Sequence, residues 1–205
     1  MVPAAITTSR RALIAGVIGL LSVIALSGAP SAVAAGGCPG TLTTPFLPWA
    51  DSDQYWLASG GSFEGKSTWS LAGGAAIASG NETFYVGNQN DSHSLSIPVG
   101  GSATTPSICV TLLSPVMRFF ATGGNSTSPL KVEVIATTAS GTTQQQIASI
   151  AASATWAPTP KIFLLANLLA LANPDGTTSV KFRFSNPGTS AWKIDDVYVD
   201  PWKLR

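Results

Sequence analysis

Beyond residue 34 the hydrophobic positions fall in short runs that alternate with polar ones, and glycine, proline and asparagine break them at close intervals. A period of two in runs of four to eight residues is the strand signal, and the breaks are turn chemistry. The pattern predicts strands at 55–58, 67–71, 75–78, 83–86, 94–97, 107–113, 116–121, 131–135, 143–150 and 180–184, with a last one from Ala191 into Val199. Lys131-Val132-Glu133-Val134-Ile135 alternates most cleanly, as a strand with one wet and one dry face does. Trp156-Ala157-Pro158-Thr159-Pro160 reads as a rigid corner. Residues 162–172 are leucine-rich and suit either a buried helical turn or a strand bent at Asn167; the neighbouring strands favour the second reading. About ten short strands at this spacing predict an all-β, antiparallel β-sandwich.

The first 34 residues follow a different rule. Arg10 and Arg11 precede an uncharged, mostly apolar stretch from Ala12 to Ala29, and Pro30 and Ala32-Val33-Ala34 then supply a helix breaker and a small-x-small cleavage pattern. This is the layout of an export signal cleaved near Ala34, leaving one domain over 35–205 and a secreted, extracellular product. The alternatives are an uncleaved anchor, for which eighteen residues are barely long enough, and lipidation of Cys38 after Ala35-Gly36-Gly37. Ser9-Arg10-Arg11 suits the twin-arginine route as well as the general secretory one. Taking Arg10 and Arg11 from the 11 basic residues leaves nine against 10 acidic ones, with no basic block. Nucleic acid and anionic membrane surfaces are therefore poor partners. The 2 cysteines, Cys38 and Cys109, read as one disulfide in an exported chain.

Two segments carry a resemblance. Gly60-Gly61-Ser62-Phe63-Glu64 followed by Trp69-Ser70-Leu71, and Ile194-Asp195-Asp196-Val197 near the end, resemble the opening turn and last strand of carbohydrate-binding modules with a galactose-binding-like jelly roll. The resemblance implies a jelly-roll sandwich, a glycan or cell-envelope polysaccharide as partner, and a structural Ca2+ held by Glu64 and Asp195, with Asp196 in reserve. Strand alternation adds that Asp195 shares a face with Val197 and Val199, so it is buried if they are. A buried carboxylate needs a cation or donors. The bland alternative is that Asp195 accepts backbone N–H groups or pairs with Lys193 or Lys181.

The remaining chemistry is sparse. Sugar rings stack on planar aromatics while amides and carboxylates read hydroxyls. Of the 6 tryptophans, Trp56 and Trp69 suit a core. Tyr85, Trp156 and Trp192 lie beside polar or loop segments and are the carbohydrate-binding candidates. His93 is the 1 histidine, with no Gly-x-Ser-x-Gly elbow anywhere. Asp51, Asp53, Glu64 and Asp91 are carboxylates without a spacing that selects a hydrolytic pair. The expectation is a non-catalytic binding module. A structural or adhesive surface protein and a glycoside hydrolase are the alternatives. Intact mass of the exported protein should match a chain starting at Ala35 less two hydrogens; a retained leader or a lipid-sized increment would contradict this.

Overall fold

The computed structural model describes residue 38 and residues 40–113, 116–125 and 127–200. The expected signal segment 1–34 lies outside the described residues. Within them the chain forms fourteen strands. In chain order these are β1 Leu42–Thr43, β2 Tyr55–Leu57, β3 Ser70–Ala72, β4 Ala76–Ser79, β5 His93–Ile97, β6 Ser102–Thr104 and β7 Ile108–Thr111. There follow β8 Val116–Gly123, β9 Leu130–Thr138, β10 Gly141–Ile150, β11 Ser153–Pro158, β12 Ile162–Phe163, β13 Thr177–Ser185 and β14 Trp192–Asp200. They build one eight-stranded and one six-stranded sheet, and every pairing is antiparallel. The expected antiparallel β-sandwich is the fold.

β14 is the spine of the larger sheet. Along one edge it pairs with β8, and along the other with β5 first and then β2. β11 and β12 continue the sheet beyond β8, and β4 and β1 continue it beyond β5 and β2. In the smaller sheet β13 is central. β9 and then β10 lie on one side, and β6 and β7 share the other. Alternating residues of both sheets meet in the core: Phe119, Trp192, Ile194, Val197 and Val199 from the larger, Val132, Val134, Phe182 and Phe184 from the smaller. Each such side chain contributes about 1.5–3 kcal/mol through burial.

A second, smaller cluster lies on the other face of the larger sheet. Phe46, Tyr55, Val116, Phe120 and Tyr198 are buried there, with Trp49, Val86 and Trp156 partly buried against them. The lead-in over 44–53 covers this face through a buried ionic network. Arg118 Nη1 donates to Asp51 Oδ2 at 2.5 Å and its Nε to the Thr159 carbonyl, while Tyr55 Oη donates to Asp51 at 2.7 Å. Lys161 reaches Asp51 at 3.1 Å and Asp53 at 2.5 Å. Burial opposes ionisation of Asp51, but the hydrogen bonds from Tyr55, Arg118 and Lys161 hold its carboxyl below the usual range.

Three segments differ from the sequence reading. Residues 83–86 are a turn and not a strand, because the Glu82 carboxylate accepts the N–H groups of Phe84 and Val86 and the backbone curls round it. The corner at 156–160 is largely β11, paired with β8 as far as Pro158. Residues 162–172 become the two-residue β12 and then a 3₁₀ helix, Leu165–Ala172. Asn167 is not a strand bulge but points inward and donates Nδ2 to the Leu112 carbonyl at 2.7 Å.

The disulfide joins Cys38 to Cys109, as expected, across a separation of 71 residues. It ties the lead-in of β1 to β7, in the other sheet. Closing a loop of that length is worth about 4 kcal/mol of chain entropy. A Cys38→Ser/Cys109→Ser variant should therefore melt lower by on the order of 10 °C by calorimetry. An unchanged Tm would mean that the lead-in is held without the bridge.

Candidate functional site

The site begins with a bulge in β14, where the register shifts between Asp195 and Tyr198. Before it Trp192 and Ile194 face the core; after it Val197 and Val199 do. The extra residue reverses the alternation. Asp195 therefore does not share a face with Val197, contrary to the simple period-two expectation. It turns to the outer side of the sheet, under the loop of residues 80–91, and is fully buried there. Its Oδ2 accepts the Glu82 N–H at 3.1 Å and its Oδ1 the Asp196 N–H at 2.9 Å. No ion pair with Lys193 or Lys181 forms: the Lys193 ammonium donates to the Ser79 carbonyl instead.

Asp196 takes the bulge conformation, with φ +46°. A non-glycine residue there costs roughly 1–3 kcal/mol. It is 1% exposed, and neither carboxylate oxygen has a hydrogen-bond partner. The Gly87 N–H lies close enough to favour the charged form but completes no hydrogen bond. Burial first, then the charges of Glu82 and Asp91, push the Asp196 carboxyl up to about 7. Burial and then Asp196 itself raise Asp195 further.

Opposite Asp196 the chain leaves room. A Cβ on Gly87 would lie 2.8 Å from Asp91 Oδ2 and 3.3 Å from both Asp196 oxygens. The missing side chain therefore keeps open a cradle between two carboxylates. Three or more acidic, histidine or cysteine side chains do not converge as a ligand set anywhere among the described residues. A hard cation seated here would take Asp196 and Asp91 and complete its shell with carbonyl oxygens and water, as Ca2+ and Mg2+ both do.

The three expected metal ligands thus separate in role. Asp196 is the orphaned one. Asp195 spends its oxygens on Glu82 and Asp196 N–H groups. Glu64 clamps the start of β5: its Oε1 accepts the N–H groups of Ser92 at 2.7 Å and His93 at 2.6 Å, and its Oε2 lies 3.1 Å from His93 Nδ1. Burial opposes its charge, but the His93 ring and these N–H groups keep its carboxyl below the usual range.

The same loop presents aromatics. Glu82 is buried, and its carboxylate gathers the N–H groups of Phe84 and Val86, the latter at 2.6 Å. Tyr85 between them is held at φ +53°, a strained setting for a bulky side chain. Phe84 and Tyr85 are each about half exposed. Phe84 sits edge-on to Trp49 with centroids 4.8 Å apart and leans on Phe120 at 5.7 Å. Trp156 packs against the same cluster. The exposed amides of Asn88, Gln89 and Asn90 follow directly. Of the three aromatic candidates, Trp156 packs against the outer cluster, and Tyr85 stands exposed next to Phe84 in the 80–91 loop.

Trp192 does neither. It is completely buried, and its indole N–H donates to the Ser128 carbonyl at 2.9 Å. It precedes the bulge on the core-facing register, so it is packing and not a binding surface. His93 hydrogen-bonds with Ser92 and Glu64 through one nitrogen, Nδ1. Asp51 and Asp53 are taken up by Arg118 and Lys161. The sequence reading missed Glu82, Phe84 and Trp49. Glu82 stood in a turn and gave no sign of burial; Trp49 and Phe84 were visible as aromatics without a partner.

No family model and no curated protein matches the chain. Its fold is similar to those of solved β-sandwiches. The CBM22-1 xylan-binding domain of Paenibacillus barcinonensis Xyn10C is 14% identical with a TM-score of 0.47, over 70% of this chain and 93% of that one. A putative sugar-binding protein of Bacteroides thetaiotaomicron is 11% identical with a TM-score of 0.47, over 70% and 98%. TmCBM61, solved with β-1,4-galactotriose, is 14% identical with a TM-score of 0.43, over 70% and 96%. What these proteins bind is a property of theirs.

The buried acids have a pH signature. A carboxyl raised in the folded state binds its proton more tightly folded than unfolded. Its contribution is complete below the unfolded value near 4 and is lost as pH rises through the folded one. In chelator the protein should lose stability between about pH 4 and pH 7, by up to ~1.4 kcal/mol per unit for Asp196. Asp196→Asn should flatten that slope in thermal melts at a series of pH values. An identical slope in the variant would remove Asp196 as its source.

Proposed function

We propose that the protein is a secreted, non-catalytic carbohydrate-binding module whose glycan site is the loop platform of Phe84, Tyr85, Trp49 and Trp156. The observation that carries this reading is the exposed Phe84–Tyr85 pair, fixed by the Glu82 carboxylate and by a strained φ at Tyr85. Rigid aromatic faces outside a core suit the C–H faces of sugar rings, and the adjoining amides of Asn88, Gln89 and Asn90 suit hydroxyls. A cell-envelope polysaccharide displays both groups. Affinity electrophoresis against a polysaccharide panel should show retention that Tyr85→Ala weakens by roughly fivefold or more with Tm little changed, and that Phe84→Ala weakens likewise with a lower Tm, because Phe84 also packs on Trp49 and Phe120. No retention by any polysaccharide would leave the structural or adhesive reading in its place.

The second part of the reading is a calcium ion that ties the 80–91 loop to β14. The uncompensated Asp196 carboxylate and the Gly87 cradle favour it. Asp196 and Asp91 would hold the ion, with Asp195 and Glu82 ordering the backbone around it. The ion would neutralise the buried acids and steady the aromatic turn. Saturating calcium should raise Tm by several degrees relative to chelator. Asp196→Asn and Gly87→Ala should each abolish that gain. An equal Tm with and without calcium in the parent protein would reject the ion.

A further inference from the structure

We infer that the outer face of the smaller sheet is a second ligand surface, one that takes an acidic, carboxylate-bearing polysaccharide. That the partner is a polysaccharide rests on the binding-module reading; the surface is separate from the Phe84–Tyr85 platform. Val132, Val134, Val180, Phe182 and Phe184 face the core, so the residues alternating with them point away from it. These include Lys131 and Glu133 on β9 and Lys181 and Arg183 on β13, and β3, β6, β7 and β10 carry no charged side chain. Three cations thus share the face with a single acid.

The register brings them together. Arg183 stands opposite Glu133, Lys181 opposite Ile135 and Lys131 opposite Ser185. From Lys181 to the level of Lys131 the band runs about 13 Å at the rise of a strand. Little of its charge is used within the protein. Arg183 Nη2 donates to Ser102 Oγ at 3.4 Å, and its Nε, though buried, has no hydrogen-bond partner. Glu133 accepts from Ser185 Oγ at 3.4 Å, and among the described residues it forms no ion pair with any of the three cations. Asp175, in the turn ahead of β13, is taken up by the N–H and hydroxyl of Thr177.

Hydroxyls surround the cations. A hollow of about 450 Å³ over this face is lined by Ser70, Thr104, Ser107, Thr137, Ser179 and Lys181. Gln144 and Gln146 of β10 stand beside Ile135 and Glu133. Charge and hydroxyls together select the occupant. Sugar hydroxyls meet the Ser, Thr and Gln groups, and carboxylates meet the Lys and Arg heads. The cations stand singly among hydroxyls, which fits a chain with one carboxylate per sugar unit. The face presents no aromatic ring on which nucleic-acid bases would stack. Its one large apolar side chain, Ile135, is partly buried, so a peptide or an acyl chain finds no anchor.

The test is affinity electrophoresis of the disulfide-bonded protein in polygalacturonate, with chelator so that calcium cannot bridge the two. Retention should exceed that in the carboxyl-reduced polymer and should fall as salt rises. Lys131→Gln/Lys181→Gln should weaken it by roughly fivefold or more, with Tm little changed. Arg183→Gln should weaken it as well, and Glu133→Gln should strengthen it. Tyr85→Ala should leave it unchanged, a result that sustains this surface even where no neutral polysaccharide is retained. No retention, equal retention in the reduced polymer, lysine variants that bind as the parent does, or loss in Tyr85→Ala would each overturn the surface, and neutral-glycan binding through Tyr85 would stand apart from that failure. Tighter binding to polyphosphate or to phosphatidylglycerol vesicles than to polygalacturonate would overturn the choice of partner.

Discussion

The fold's outer architecture depends on one expensive feature, two consecutive carboxylates buried at a bulge in the central strand of the larger sheet. Like charges in a low-dielectric setting repel, and each loses hydration. The chain answers unevenly. Asp195 receives two backbone N–H groups, while Asp196 receives none and is placed at a strained φ. The arrangement satisfies one acid and orphans its neighbour, and the proposed calcium would complete it between Asp196 and Asp91, where Gly87 carries no side chain.

From that point the consequences run outward. Asp195 fixes the amide of Glu82, and the Glu82 carboxylate in turn fixes the amides of Phe84 and Val86. The turn lays Phe84 on Trp49 and Phe120, closing the outer cluster that the Asp51–Arg118 network closes from the other side. The binding surface proposed for glycans is therefore the exposed rim of a structural cluster, and under that proposal stability and ligand recognition would be coupled through the same acids.

The sandwich was legible in the sequence because most strands bury one face. Lys131 to Ile135 and Val180 to Phe184 alternate in the text as they do in space. The acid pair and its partner turn were legible as motifs, but not in role. A bulge has no sequence signal of its own, so counting by twos placed Asp195 on the wrong side and left Trp192 looking free. Thr83-Phe84-Tyr85-Val86 has strong strand propensity, and only the tertiary burial of Glu82 overrides it. Leu165, Leu168 and Leu171 read as core but are exposed. The period of three that lines them up shows only once Asn167 is known to point inward.

The most direct test of the central claim is amide hydrogen exchange across residues 80–91, with calcium and with chelator. The account predicts that calcium slows exchange at Phe84, Val86 and Asp91 in the parent protein and leaves these sites unchanged in Asp196→Asn. Equal exchange in both conditions in the parent protein would contradict the claim that the buried acid pair organises this loop through a cation.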